Sequence, residues 1–369
     1  MDYAWRCGSA FRETIKVQKK NLSEARLLIV IAFTYLLYLI YLTVGLGFQM
    51  LRGDMLGYWQ ESLRWTTPFS TWWAPGYPLL IAAVRGISLN IFPPIGVMVL
   101  ISAVTYLLAV IALYRFANHR QFSYPVYPTL LFAFAPFVGL TYAVYPYADS
   151  TAIALFLLSV LSLEKLQWGR FILFSGASMV FHKVMWLFIP SLMLVAFFKQ
   201  KESRWRLLLA FIPLLIWGIT GMFYHHDLLW FMRWSVENLI VSQTSLPIFD
   251  GLITPLLSGS AIRSGKGVVV ALVCVLALIC TYYSYQHRLW LALSISLPFL
   301  FIVTFVNSYE IWIAVRYSKL LVIPLSIIYI QVGLHPSIIT NRLVVASVFT
   351  ALLVSNIAYG FYMTRFYFS

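Results

Sequence analysis

Long apolar runs separated by polar segments recur along the whole chain. The first, Leu27 to Phe48, contains no charged residue, and about 20 apolar residues are enough for a helix to cross the hydrocarbon core of a bilayer. Further runs follow at approximately 95–114, 125–144, 148–163, 170–182, 184–198, 207–224, 267–285, 289–306, 318–334 and 343–362. The pattern predicts an all-α, polytopic transmembrane helical bundle of about 11 spans, which forms a single domain over residues 1–369.

Two stretches are too polar to be spans and are expected as loops on the outer face. The first, 49–94, contains an apolar segment from Tyr77 to Ile91 that is too short to cross a membrane. Its apolar residues recur at helical spacing, so we expect interfacial helices within this first outer loop. The second large outer loop is predicted at 225–266, where its side and size favour a role in covering a site.

The apolar stretch from Arg170 to Phe198 is compatible with one long helix or with two shorter helices that meet at His182-Lys183. Two helices place the basic residues just after this stretch in the cytoplasm, whereas one helix places them outside. Lys and Arg collect on the cytoplasmic side of membrane proteins, which favours two helices. The basic N-terminal segment is then cytoplasmic as well, and both large loops face outward.

Composition supports a membrane protein. Hydrophobic residues make up 61% of the chain and charged residues 10%, which is too few charges to cover a water-facing surface. The net charge of +14 is attributed to membrane orientation, so we expect membrane lipids and no nucleic acid as partners. The cysteines, Cys7, Cys274 and Cys280, indicate neither a disulfide framework nor a metal cluster. We expect a multi-pass protein of the bacterial inner membrane.

The first outer loop carries the most distinctive motif. Asp54 comes directly after the first span, Tyr58 follows four residues later, and Pro75-Gly76-Tyr77-Pro78 leads into the amphipathic segment. This arrangement resembles the first outer loop of the GT-C superfamily of glycosyltransferases, mannosyltransferase-like multi-pass enzymes that take a sugar from a polyprenyl-phosphate or dolichyl-phosphate carrier.

Three later motifs extend the resemblance. Asp149 lies in Tyr145-Pro146-Tyr147-Ala148-Asp149-Ser150, His182-Lys183 follows Phe181, and Arg316-Tyr317 precedes the span containing Pro324. The resemblance implies a substrate-binding set around the catalytic Asp54. That set contains Arg316, Lys183, His182, Asp149, Tyr58 and Tyr317, and Glu310 of a late outer segment is a further substrate-binding candidate.

The chemistry of sugar transfer explains why these residue types would be needed. Transfer from a lipid phosphate requires a base near the acceptor hydroxyl and cations near the departing phosphate. Asp54 could be the base, and Arg316 and Lys183 could hold the phosphate. Each has an ordinary alternative: Asp54 could cap the helix that follows it, and the two cations could contact lipid phosphates. Asp149 could cap a helix or face an enclosed cavity.

The function implied is transfer of a sugar from a lipid-phosphate-linked donor to a glycan, lipid or protein acceptor on the outer face, with inversion and with Asp54 as general base. A transporter or flippase, or a polymerase of lipid-linked glycans, is the alternative. Mid-membrane charges, typical of transporters, are scarce in these spans, which favours the enzyme. We expect no cofactor and no metal at His225-His226-Asp227, because adjacent histidines point in different directions. The resemblance is compatible with a divalent ion elsewhere, since some superfamily members use one.

Overall fold

The computed structural model describes residues 24–45, 54–63, 74–88, 91–122, 124–135, 139–200, 204–228, 266–305, 316–332, 347–348, 350–358 and 361. All regular elements in these ranges are helical, and the described residues contain no strand. The expected all-α class is therefore confirmed for this part of the chain.

The helices follow the apolar runs closely. Helix α1 covers 24–40 and ends in a π-helical turn, Tyr41–Gly45. Helices α2 to α10 are Asp54–Leu63, Gly76–Ile87, Pro94–His119, Val126–Ala133, Thr141–Val144, Asp149–Glu164, Trp168–Phe181, Met185–Lys199 and Ile212–His225, the last preceded by the 3-10 helix Arg204–Phe211. Helices α11 and α12 are Lys266–Gln286 and Trp290–Phe305; α13, Val322–Val332, follows the 3-10 helix Ser318–Leu321, and α14 lies within 347–358.

The stretch after Arg170 is two helices, as the distribution of basic residues favoured. Helix α8 ends at Phe181, His182 takes up an extended backbone conformation, and α9 begins at Met185. The Trp186 indole N–H donates a hydrogen bond to the Met179 carbonyl at 2.9 Å, which ties the two helices together at the turn. Helices α7, α8 and α9 therefore run up, down and up through the bundle.

Charged residues mark one end of these helices. Glu164 at the end of α7 pairs with Arg120 at 2.6 Å and with Lys199 at 2.7 Å. Arg120 follows the end of α4 and Lys199 ends α9. The ends of three helices thus share one carboxylate. Their beginnings lie at the opposite end of the bundle, together with the loop between α8 and α9.

The apolar run at 125–144, predicted as a single span, is instead two short helices. Helix α5 ends at Ala133 and α6 begins only at Thr141. Pro136 lies in this interval, and a residue before proline is biased away from the helical conformation. On the α5 side of the break, the side-chain nitrogen of Asn356 in α14 donates to the carbonyls of Phe134 and Ala135.

The outer faces of several helices are apolar. Leu100, Val104 and Leu108 form an exposed row along α4, and exposed apolar residues also line α1 and α10. Contiguous exposed apolar surface of this kind favours contact with a membrane. Within the described residues, the segments Pro94–His119 and Arg204–Phe223 are long and apolar enough to cross one. Helices α8 and α9 have 14 and 15 residues, and the bundle of about 11 spans is not confirmed by these lengths.

Candidate functional site

Asp149 lies in a cluster of polar side chains at the beginning of α7. This is the end of the bundle opposite Glu164. Asp149 is the first residue of α7 and is preceded by Ala148 at the N-cap. Its exposure is only 2%. The Asp149 side chain is therefore buried in the interior of the protein.

Arg316 is the cation next to this carboxylate. Its Nη1 lies 4.0 Å from Oδ2 of Asp149, at the outer limit of an ion pair. The guanidinium also lies over the ring of Tyr147, with 4.9 Å between Cζ and the ring centroid. Tyr145 and Tyr147 stack on each other at 6.2 Å. The Tyr145–Ser150 motif thus supplies both the carboxylate and an aromatic surface that orients Arg316.

Tyr317 and His182 lie next to each other in the same cluster. Their rings lie 5.3 Å apart, and Tyr317 is fully buried. Burial raises the pKa of the Tyr317 hydroxyl, and the nearby Asp149 carboxylate raises it further. Nδ1 of His182 accepts a hydrogen bond from the Val184 N–H at 3.2 Å, so a neutral His182 ring carries its proton on Nε2.

Helices α2 and α3 complete the cluster. The rings of Tyr58 and Tyr77 meet edge to face at 5.0 Å. Burial raises the pKa of Tyr77, with a smaller contribution from Asp149. Gly76 allows this close fit, because a Cβ there would lie 2.8 Å from the Val180 carbonyl oxygen and 2.8 Å from a ring carbon of Phe181. The Pro-Gly-Tyr-Pro motif therefore packs α3 against the end of α8.

Several polar atoms in this region are buried and unsatisfied. Tyr77 Oη, Ser102 Oγ, Asp149 Oδ1 and Tyr317 Oη make no hydrogen bond of good geometry within the described ranges, although Tyr77 lies close to Ser102 and Tyr317 lies close to Asp149. A buried polar group without a partner costs about 1–3 kcal/mol. A polar ligand or water that bonded to these atoms would recover that cost, so the cluster has the properties of a binding site.

Lys319 belongs to the same cluster and was missed by the analysis of the sequence. Its exposure is 2%, and its ammonium lies 5.5 Å from the centroid of the Phe132 ring and within electrostatic reach of Asp149. The available signal was a lone lysine at the start of an apolar run, three residues after Arg316. Ser102 was also missed, because a serine in an apolar helix carries no distinguishing pattern.

Most of the predicted site residues converge on this place. Asp149, Arg316, Tyr317, His182 and Tyr58 are brought together, and Lys183 lies beside His182 in the link between α8 and α9.

Asp54 begins α2, one helical turn before Tyr58, while its side chain lies outside the described part of the structure. Glu310 and the second large loop beyond residue 228 also lie outside it.

No group of His, Cys, Asp and Glu within the described ranges is arranged to hold a metal ion. His226 follows the end of α10 in a left-handed backbone conformation, with φ of 55°. The comparisons with known proteins add no identity to the site: no family model, no curated protein and no solved structure matches the chain. The function therefore has to be argued from the cluster itself.

Proposed function

We propose that the chain is a multi-pass membrane glycosyltransferase of the GT-C type. It transfers a sugar from a polyprenyl-phosphate carrier to an acceptor hydroxyl on the outer face, with inversion and with Asp54 as general base. The observation that supports this proposal is the pairing of Arg316 with the buried Asp149 beside Tyr317, Tyr58 and His182. These residues come from separate segments of the chain and correspond to the motifs that carry the resemblance.

The roles follow from the charge that develops during transfer. The bond between the anomeric carbon and the phosphate oxygen breaks, and the phosphate departs as an anion that needs no proton. Arg316, as a planar fork, suits the contact with the phosphate oxygens, and Lys183 could add a point charge. The acceptor hydroxyl attacks the anomeric carbon and passes its proton to the Asp54 carboxylate.

The buried tyrosines suit orientation rather than proton transfer. The raised pKa values of Tyr77 and Tyr317 keep both phenols neutral at physiological pH, so each can donate a hydrogen bond but neither is a base. The unsatisfied hydroxyls near Asp149 would then bond to polar groups of the donor.

The proposed orientation uses the two ends of the bundle. The cluster of Arg120, Glu164 and Lys199 belongs to the basic end, which we assign to the cytoplasm. The site around Asp149 lies at the other end and would open outward, where lipid-linked sugar donors are used on the outer leaflet. In this orientation, the exposed apolar faces of α1, α4 and α10 would contact the lipids of a bacterial inner membrane, and the site would open to the outer side.

The decisive test is sugar release from a panel of labelled polyprenyl-phosphate sugars by the purified protein, with membrane extract as the source of acceptor. Asp54→Asn should lower turnover of the preferred donor by about 10²–10⁴-fold, the usual contribution of a positioned base. The control is Glu61→Gln, which makes the same carboxylate-to-amide change within α2. Equal turnover in Asp54→Asn would remove it as base, and no turnover of any donor by the wild type would favour the transporter or polymerase.

A further inference from the structure

The turn from α9 into α10 carries two arginines without an acidic partner. Arg204 and Arg206 lie at the beginning of the 3-10 helix Arg204–Phe211, and both are exposed. Neither forms an ion pair with a carboxylate in the part of the chain that the structure describes. The described carboxylates at this end of the bundle, Glu24 and Glu164, are already paired with other basic residues. The two arginines therefore carry positive charge that no described carboxylate balances.

Aromatic rings and the backbone hold these guanidinium groups in place. Arg204 Nε donates a hydrogen bond to the Gln200 carbonyl at 2.9 Å, and its Cζ lies 4.7 Å from the centroid of the Phe197 ring. The Cζ of Arg206 lies 5.9 Å from the centroid of the Trp205 ring. A cation is attracted to the face of an aromatic ring, which limits its orientations. A guanidinium has five N–H donors, so these contacts leave donors for a phosphate.

Exposed apolar side chains follow the two arginines along the same helix. In a 3-10 helix, residues three apart lie in one row. Leu207 is buried, whereas Trp205 and Leu208 form an outer row with exposures of 64% and 65%. A third row contains Arg206 and, one turn later, the exposed Leu209. Charged and aromatic groups therefore precede apolar ones, which is the order of head groups and acyl chains in a bilayer.

Tight packing on α8 fixes which side of the 3-10 helix faces outward. A Cβ at Gly176 of α8 would lie 2.7 Å from the Ala210 carbonyl oxygen, so the two backbones are in direct contact. The outer rows therefore stay on the surface of the bundle. The segment Arg204–Phe223 is also long and apolar enough to cross a membrane. Its apolar rows would contact lipid, with the arginines at the boundary between lipid and water.

We propose that the surface formed by Arg204, Trp205, Arg206 and Leu208 binds the head group of an anionic phospholipid such as phosphatidylglycerol. The lipid phosphate supplies the negative charge next to the two guanidinium groups. Trp205 lies at the level of the head group, and Leu208 contacts an acyl chain. A free phosphate ion could contact only the arginines, so the exposed apolar residues favour a lipid as the source of the phosphate. This surface is at the end of the bundle away from the candidate site, and the inference does not depend on the proposed function.

The test uses the full chain in detergent micelles, as wild type and as the double variant Arg204→Gln/Arg206→Gln. Thermal unfolding is followed while phosphatidylglycerol, phosphatidylcholine or inorganic phosphate is added. A ligand that binds the folded state raises the unfolding midpoint according to its affinity, so each titration yields an affinity. The matched control is Arg115→Gln/Arg170→Gln, which removes two exposed arginines at the same end of the bundle that already bond to other side chains.

We expect the wild type to bind phosphatidylglycerol about 30-fold more tightly than phosphatidylcholine, because each basic residue at an anionic lipid surface contributes about fivefold in affinity. The glutamine double variant should lose most of this preference, and the control should retain it. The double variant Arg204→Lys/Arg206→Lys keeps both charges and should retain the preference within about threefold.

Three outcomes would overturn the inference. The first is an equal preference for phosphatidylglycerol in the wild type and in the glutamine variant. The second is the same stabilisation by inorganic phosphate, which would identify a site for a free anion instead of a lipid. The third is loss of the preference in the lysine variant as well, which would show that the arginines shape the turn and do not attract the head group by their charge.

Discussion

Asn356 joins parts of the chain that are far apart in sequence. Its side-chain oxygen accepts the Leu140 N–H at 2.9 Å, and its side-chain nitrogen donates to the carbonyls of Phe134 and Ala135 at 3.3 and 3.2 Å. The Tyr38 hydroxyl of α1 donates to its backbone carbonyl at 2.8 Å. The amide therefore satisfies the backbone at the break between α5 and α6 and holds α1 and α14 against it.

Asn356→Asp should destabilise the protein while keeping the size of the side chain. The carboxylate lacks the two N–H donors and places a charge in a buried site, so the hydrogen bonds to the Phe134 and Ala135 carbonyls are lost, at a total cost of about 1–3 kcal/mol. The measurement is thermal unfolding of the purified protein, where we expect the midpoint to fall by at least about 5 °C. Asn118→Asp on α4, which is not fully buried, is the control and should change stability by less than about 1 kcal/mol. Similar losses in both variants would contradict the role of Asn356.

Only some of the residues of the candidate site could be predicted from the sequence. Asp149 and Arg316 were predicted from the motifs that resemble those of the GT-C superfamily, and Asp149 also because a carboxylate at the start of an apolar run is costly in lipid. Lys319 and Asn356 were not, since a charged or amide residue within an apolar run has the same sequence pattern whether it faces water, lipid or another buried group. Their neighbours come from remote segments: the Phe132 ring lies 5.5 Å from the Lys319 ammonium, and the α5–α6 break bonds to Asn356.

At the scale of elements, the packing of α3 against α8 depends on a missing side chain. A Cβ at Gly76 would lie 2.8 Å from the Val180 carbonyl oxygen, closer than real contacts allow, and a backbone atom cannot rotate away. A Cβ at Gly86, in the same helix, would meet nothing within 4 Å. One helix therefore contains a glycine required by packing and another that is free to change.

Gly76→Ala and Gly86→Ala should change stability in opposite directions. The first forces α3 away from α8 and should cost about 1–3 kcal/mol, the usual range for overpacking. The second removes a flexible residue from a helix and should gain about 0.5–1 kcal/mol. Thermal unfolding of the two variants beside the wild type measures both effects. A stabilised Gly76→Ala protein would show that the close approach of α3 and α8 is not required.

The bounds of the helices were predictable where hydropathy changes sharply, and the turn at His182-Lys183 was predictable from the positions of basic residues. The break within 125–144 was not, because both of its halves are apolar. Asn356 supplies hydrogen bonds to the Phe134 and Ala135 carbonyls at this break. A local pattern contains no information about a partner located so far along the chain.

For the whole molecule, the two ends of the bundle lead to a labelling prediction. Helix α4 has 26 residues and is therefore about 39 Å long. Ile91 lies before its beginning, and His119 at its end is 3.2 Å from the Glu164 carbonyl. In a background without Cys7, Cys274 and Cys280, an impermeant maleimide should label Ile91→Cys on intact cells and Lys165→Cys only after permeabilisation. The reverse pattern would invert the proposed orientation, and the unsubstituted background is the control.

The sequence alone determined the helical class, the apolar runs that favour a membrane, and the regions where polar residues collect. These properties are local, because hydropathy and helical period are summed over neighbouring residues. Only the tertiary structure decided that Asp149, Arg316, Tyr317 and Lys319 share one buried place, and that Gly76 and Asn356 hold the surrounding helices. The physical reason is that a buried charge, or a backbone group at a helix break, is satisfied by the segment that packs beside it. Which segment packs there depends on the tertiary structure as a whole.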